Sequence, residues 1–416
     1  MENTSEPKKR LWSMNFFLLW QGQLVSTLGD SIYEIALTFW ILYETGSPGL
    51  MGALLASSML PKVLISPFAG VIVDRTDRRK MILYMDFIRG ICIIFVGIAA
   101  IFGFLEIWMA FVAGIILGIC AAFFNPAVTS TIPDIVPSSQ IVQASANLSM
   151  LRAVSQIVGP SSGGVLYHLV GPPILFLCNG ISYMISFIFS FFMKIPKSMS
   201  QDQKYNFWQD MKDGFAYVWR MKGLRDLIVL AGFLNFFATV SIVLLAPMFK
   251  NTPNLGEVKY GIAMAIFTLG MLAGMIFTSI YRIKPEHKSI VLTVSGLLAG
   301  VIFSTAVLMN NFIIMALLLF IGGTFNAIVN VLIESTIQLT VSQEMRGKVS
   351  SLKGTLTMGL APLAMFIGGL LGEFFPIKYI VYAGFLAISV LFIPLFFLKS
   401  FKTFIQYNPE HQKVGL

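Results

Sequence analysis

Apolar residues gather along the chain into runs of roughly 18 to 28, each long enough to cross a hydrocarbon core of about 30 Å as an α-helix. The runs predict helices at about 15-43, 49-73, 81-103, 107-133, 141-167, 172-195, 224-249, 257-281, 289-309, 312-340, 349-373 and 377-399. The alternation that marks the strands of a membrane barrel is absent. The expected fold is therefore an all-α membrane protein with twelve transmembrane helices, because at that depth a helix satisfies its own backbone.

Composition agrees with this reading. Of 416 residues 56% are hydrophobic and 12% charged, with a mean hydropathy of +0.80, outside the range of soluble globular chains. Lys8, Lys9 and Arg10 before the first run give it the look of a signal peptide, but it is too long for one and carries Asp30 and Glu34. Lys and Arg cluster before Arg10, in Arg75-Lys80, Lys194-Arg225, Arg282-Lys288 and Arg346-Lys348, and in the tail from Lys399 to Lys413. Only Lys250, Lys259 and Lys378 fall on the opposite side. Cationic loops stay in the cytoplasm, so both termini are expected there, in a cytoplasmic-type membrane. The same bias accounts for the net charge of +9 without a nucleic-acid partner. Cys92, Cys120 and Cys178 lie singly in apolar runs and read as small packing residues, with no metal site. No phosphate-cradling glycine loop and no hydrolytic motif occurs, so an enzyme is not expected.

The long polar stretch from Lys194 to Arg225 divides the chain into a first six-helix bundle at 1-195, a linker at 196-223 and a second bundle at 224-416. In the linker Phe207, Trp208, Met211, Phe215, Val218 and Trp219 recur at helical spacing, with Asp210, Lys212, Asp213 and Arg220 at other positions. This describes an amphipathic helix at the membrane surface, either a plain connection or a regulatory element. The two halves echo each other weakly. Asn125-Val136 and Asn330-Val341 share Asn, Ser-Thr-Ile and Val in register, and Pro160 with Gly163-Gly164 is matched by Pro362 with Gly368-Gly369. Duplicated halves with a site between them are a common transporter plan.

Between the second and third runs stands Gly70-Val-Ile-Val-Asp74-Arg75-Thr-Asp77-Arg78-Arg79-Lys80. Gly70 would permit close helix approach, and Asp74 with its neighbours would form a charge network at a helix end. This loop resembles the signature of the major facilitator superfamily. The opening FLLWQGQLVSTLGDSIYEIAL, the VSQIVGPSSGG segment and DMKDGFAYVWRMKGLRDL resemble its bacterial macrolide-efflux and siderophore-exporter branch. The resemblance implies two pseudo-symmetric six-helix bundles, export of hydrophobic compounds against protons by alternating access, and a conformational role for Gly70, Asp74, Arg75, Arg78, Arg79 and Lys80. Gly159-Pro160-Ser-Ser-Gly163-Gly164 resembles the family's antiporter motif, although Ser155 stands where a further glycine is expected. Proline removes a helix hydrogen bond and glycines admit a neighbour, so this segment reads as a bend, fixed or rocking. The fourth span's outer stretch, Phe111 to Ile119, lacks the arginine that many drug exporters of the superfamily carry.

The first run also carries a pattern that needs no family. Gln23, Thr27, Asp30, Glu34 and Thr38 form one polar stripe at helical spacing. An ionised carboxylate facing lipid at mid-depth costs about 2.5 to 3.5 kcal/mol on insertion scales, so the acids should face the bundle interior. Two readings stay open: proton coupling or cation recognition by Asp30 and Glu34, or a structural ion pair with Lys62 at similar depth. Glu334 shares a face with Asn326, Asn330 and Gln338, and Arg152 one with Ser145, Ser149 and Gln156. Both charges are candidates for coupling or substrate binding. Asp86 and Arg89, one turn apart, read as a local brace for the signature loop, and His168 as an exposed loop residue.

Together these features predict a proton-coupled exporter of a hydrophobic drug-like compound that works as a monomer in the bilayer and needs no cofactor beyond the proton gradient. One charge crossing 100 mV gains about 2.3 kcal/mol, enough for roughly fiftyfold accumulation. The alternatives are export of a siderophore or other metabolite, with Lys62 and Arg152 attracting an anion, and a non-transporting sensor on the same fold.

Overall fold

The structure, a computed structural model, describes residues 11–195, 207–281 and 283–407, without the side chains of residues 74, 207–211, 344 and 351. The basic residues Lys8 to Arg10, the side chains of Asp74, Phe207, Trp208, Asp210 and Met211, Arg282, and Lys413 therefore lie outside the described residues. The chain is helical throughout what is described: α1 Met14–Thr45, α2 Pro48–Asp74, α3 Arg78–Ile101, α4 Ile107–Ile135, α5 Ile141–Phe192, α6 Phe207–Arg220, α7 Lys222–Asn251, α8 Gly256–Ile280, α9 Pro285–Leu308, α10 Phe312–Thr340, α11 Gln343–Gly359, α12 Ala361–Phe374, α13 Ile377–Phe392 and α14 Lys399–Ile405.

Each of the twelve apolar runs lies on a helix. Among the described residues ten helical stretches are long and apolar enough to cross a membrane. One of these, 55 residues long, holds two passes, because α5 breaks at Gly171, whose φ of 77° suits glycine. Pro172 and Pro173 follow the break, while the first limb of α5 keeps helical backbone through Pro160. α11 and α12 together make one pass, interrupted at Leu360. α1 has 32 residues and is long enough to join the ten, but its polar residues lower its hydropathy.

Two compact units emerge. One holds α1 through Trp40 and α2 from Ser57 through α5; the other holds Ile41–Ala56 and α6 to α14. The connection between α1 and α2 and the helix α6 thus group with the second unit.

Small residues set the helix pairings, and the same pairings recur in both units. In the first, a Cβ on Gly159 of α5 would stand 2.1 Å from Ser31 Cβ of α1. In the second, a Cβ on Gly368 of α12 would stand 2.9 Å from Val243 of α7. Likewise Gly118 of α4 abuts Ser58 of α2 as Gly274 of α8 abuts Thr324 of α10, and Gly97 of α3 meets Leu177 of α5 as Gly300 of α9 meets Ser389 of α13. At Gly70 a Cβ would meet nothing within 4 Å among the described residues of its own unit. Of the cysteines, Cys120 is buried, Cys92 half-buried and Cys178 exposed, so Cys178 is not the core residue expected.

The signature loop is tied down by cations. Arg78 pairs with Asp134 at 2.5 Å and donates to the Ser130 carbonyl at 2.9 Å, joining α3 to α4. Arg79 donates to the Phe191 carbonyl of α5, and Asp77 caps α3 by accepting from the Lys80 amide at 3.2 Å. Arg75 and Lys80 are exposed.

In the second unit the segment from Ile41 to Ala56 is held at both helix ends. The Glu373 carboxylate of α12 accepts from Ser47 Oγ at 2.8 Å and from the Gly49 amide at 3.1 Å, at the start of α2. The Lys250 ammonium donates to the Leu42 carbonyl near the end of α1 and lies 4.4 Å from the Tyr43 ring. Tyr43 donates to Glu257 at 3.1 Å. An anion thus meets a helix N-terminus and a cation a helix C-terminus, as the helix dipoles favour.

Candidate functional site

α1 carries the polar stripe, and two of its five members turn back on their own helix. Thr27 Oγ1 donates to the Gln23 carbonyl and Thr38 Oγ1 to the Glu34 carbonyl, the latter at 2.7 Å. Such bonds satisfy a hydroxyl inside the bilayer and leave little for a ligand. Gln23 and Thr38 are buried. The chemistry of the stripe therefore rests on Asp30 and Glu34, near the middle of the 32-residue helix.

Asp30 is half-buried and faces the second limb of α5. Its Oδ1 accepts the Tyr183 hydroxyl hydrogen bond and lies 3.4 Å from Asn179 Nδ2. This reach depends on Gly29, where a Cβ would stand 2.5 Å from Asn179 Oδ1 and 2.6 Å from Ser182 Oγ. Only glycine lets α1 lie so close to that limb.

Tyr183 leads to a second, deeper pair. Its ring lies 4.5 Å from the Arg89 guanidinium carbon, and the Phe124 ring lies 3.9 Å from that carbon. Arg89 pairs with Asp86 one turn earlier on α3, and Asp86 accepts from Ser186 Oγ at 2.8 Å. Asp86 is fully buried and Arg89 is 5% exposed. Asp86 and Arg89 are thus more than a brace for the signature loop. They sit at the core of a network running from Asp30 through Tyr183 to Ser186, across α1, α3 and α5, with Phe124 of α4 covering it.

Tyr183, Asn179 and Ser186 were not singled out from the sequence. A signal existed: Asn179, Ser182, Tyr183, Ser186 and Ser190 recur at three- and four-residue steps along the second limb, and all five are buried.

Glu34, one turn beyond Asp30, is exposed, and its carboxylate makes no hydrogen bond among the described residues. Ser31 and Ile35 on its flank are held by Gly159 and Gly163 of α5, so the helix-bend motif packs beside the acids. Gly164 is buried on the same limb. Lys62 of α2 is half-buried and lies within electrostatic reach of both acids. Among the described residues it forms no ion pair with either, so the structural pair considered from the sequence is not formed. Arg152 is exposed on the first limb of α5 and likewise has no acidic partner among them.

In the second unit Glu334 of α10 pairs with Lys353 of α11, with side chains 49% and 24% exposed. Lys353 was not foreseen as its partner. One turn before Glu334, Asn330 Nδ2 donates to the carbonyl and side-chain oxygens of Asn326 at 2.9 and 3.0 Å. Glu334, Asn330 and Gln338 present an accessible polar face on an otherwise apolar helix. No group of three or more His, Cys, Asp or Glu able to hold a metal occurs among the described residues.

The model of the transmembrane secretion effectors, within the major facilitator superfamily, matches residues 10–410. The chain belongs to this family. It is 27% identical to macrolide efflux protein A of Streptococcus pyogenes over 371 residues, covering 87% of this chain and 90% of that protein. It is 23% identical to the multidrug efflux pump Tap of Mycobacterium bovis over 374 residues, covering 85% and 86%. Among solved structures, a bacterial homologue of the iron transporter ferroportin superposes with a TM-score of 0.69 at 16% identity, covering 91% of this chain and 98% of that one. This family member is a multi-pass secondary transporter and not an enzyme.

Proposed function

We propose that the protein is a proton-coupled antiporter that exports hydrophobic drug-like compounds of the macrolide type by alternating access of its two halves. The observation that carries this reading is the network around Asp30. Three carboxylates, Asp30, Glu34 and Asp86, face two cations, Arg89 and Lys62, in one region of the first unit. Asp86 is consumed by Arg89, which leaves Asp30 with only neutral donors and Glu34 with none. One bound proton makes the set neutral overall. A carboxylate inside a membrane-spanning bundle without an opposite charge is costly, so binding and releasing that proton changes which conformation is favoured. The efflux relatives of similar length support the export direction.

Glu334 and its accessible pair with Lys353 give the second unit a charge that a ligand can reach. Exposed pairs are worth only about 0.2–1 kcal/mol, so a cationic substrate displaces Lys353 at small cost. A second reading, export of an anionic metabolite such as a siderophore, draws on Lys62 and Arg152, two cations with no ion pair among the described residues.

The test is a susceptibility screen of a pump-deficient strain expressing the protein, against cationic, neutral and anionic compounds, with and without a protonophore. Protection against macrolide-type compounds that the protonophore and Asp30→Asn both remove is the expected result. Protection that survives both would overturn proton coupling, and protection confined to anions would favour the second reading.

A further inference from the structure

Helix α6 has 14 residues. At 1.5 Å per residue it extends about 21 Å, short of a hydrocarbon core of about 30 Å, so it does not cross the membrane. It is joined by Met221 alone to α7, which begins its crossing at Lys222. α6 therefore lies at headgroup level.

One of its faces is used up by its own unit. Val218 is buried in a core cluster that includes Leu224, Val349 and Leu352. A Cβ on Gly214 would lie 3.2 Å from the Lys348 carbonyl oxygen of α11, and Lys348 pairs with Asp213 at 2.8 Å. The Tyr217 hydroxyl accepts from the Ser342 amide at 3.5 Å.

The other face is different. Phe215 and Trp219, one turn apart, stack with centroids 4.6 Å apart and planes at 19°, yet remain 48% and 52% exposed. On a helix at this level, apolar rings left uncovered by the protein meet the boundary between headgroups and acyl chains. Beside this pair Lys212, Arg220 and Lys222 are exposed, and Arg225 lies 5.8 Å from the Trp219 ring. The described acids nearby are engaged, Asp213 with Lys348 and Asp226 with Arg225 and Ser400. α14 packs against the start of α7 through Phe404 on Gly223 and adds the exposed Lys399 and Lys402 to the same end.

We propose that this face of α6 is a lipid-binding surface: Phe215 and Trp219 are seated among the headgroups, and Lys212, Arg220 and Lys222 take the phosphates of anionic phospholipids. Aromatic rings favour the interface between water and hydrocarbon, and exposed cations beside it are drawn to an anionic leaflet. Charge complementarity selects an anionic lipid over a protein partner, for which a stacked pair of rings offers too small a patch. A consequence follows for α11. α6 grips that helix through Asp213 and Lys348, and α11 also carries Lys353, the partner of Glu334. Anionic lipid then steadies the helix that holds the polar site of the second unit.

The test uses the full-length protein in nanodiscs of zwitterionic lipid alone and of the same lipid mixed with phosphatidylglycerol, with hydrogen exchange read over residues 207–220 and, as a fold control, over α10. Several-fold slower exchange of α6 in the anionic mixture is expected. Phe215→Ser with Trp219→Ser should abolish that slowing, and Arg220→Gln with Lys222→Gln should shrink it, while α10 is unchanged. Equal exchange in the two lipids would overturn the proposal, as would slowing that survives both double variants. So would slowing that follows protein concentration instead of lipid, since this would make a second copy the occupant.

Discussion

Asp30 and Tyr183 show how little room the network leaves for substitution. Asp30→Asn keeps the size of the side chain and an acceptor for Tyr183 but removes the proton-binding group. In proteoliposomes it is expected to abolish substrate accumulation driven by a pH gradient while exchange down a substrate gradient continues. Loss of both would make Asp30 a folding residue instead. Asp86→Asn differs in kind, because it leaves Arg89 buried and unpaired between Phe124 and Tyr183. Breaking a buried pair from one side costs about 3–5 kcal/mol, so thermal unfolding in detergent should fall well below that of the parent protein. Glu34 is exposed and unbonded among the described residues, and Glu34→Gln should leave that unfolding temperature unchanged.

Among the elements, the contact between α1 and the second limb of α5 sets the position of the site. Gly29→Val places a branched side chain where a Cβ alone would already stand 2.5 Å from Asn179 Oδ1 and 2.6 Å from Ser182 Oγ. The helices must part, and Asp30 loses Tyr183. Transport driven by the gradient should be lost, with helix content by circular dichroism retained. The start of α2 depends on Glu373 in a similar way. Glu373→Gln removes a negative charge from a helix N-terminus, where such charges contribute about 0.3–1 kcal/mol. Faster hydrogen exchange confined to residues 47–52 is expected, and unchanged exchange there would show the cap to be idle.

For the whole molecule, the recurrence of glycine pairings in both units means that each bundle is packed by one scheme but carries different chemistry. The first holds a network of two acids and an arginine, buried at Asp86 and Arg89 and half-buried at Asp30; the second holds an accessible acid with a lysine. If protons act through Asp30 and substrates through Glu334, Glu334→Gln should weaken export of cationic compounds by roughly tenfold, about 1.4 kcal/mol. Export of neutral compounds should persist. An equal loss for both classes in the same susceptibility assay would assign Glu334 to coupling.

The sequence by itself determined the passes, the break before Pro172, the family and the acids of α1. Hydrophobic length and local spacing fix these, and both are properties of neighbours along the chain. Asp86 and Arg89 were legible as a pair because they stand one turn apart on one helix. That Tyr183 and Ser186 join them to Asp30 was decided only in the tertiary structure. These partners lie some 100 to 150 residues away in sequence, and which face of the second limb of α5 meets α1 depends on where Gly22 and Gly29 let the helices touch. The fate of Lys62 was decided there too. Equal depth made a pair with Asp30 plausible, but depth is a single coordinate, and the rotation of α1 and α2 left Lys62 without that partner.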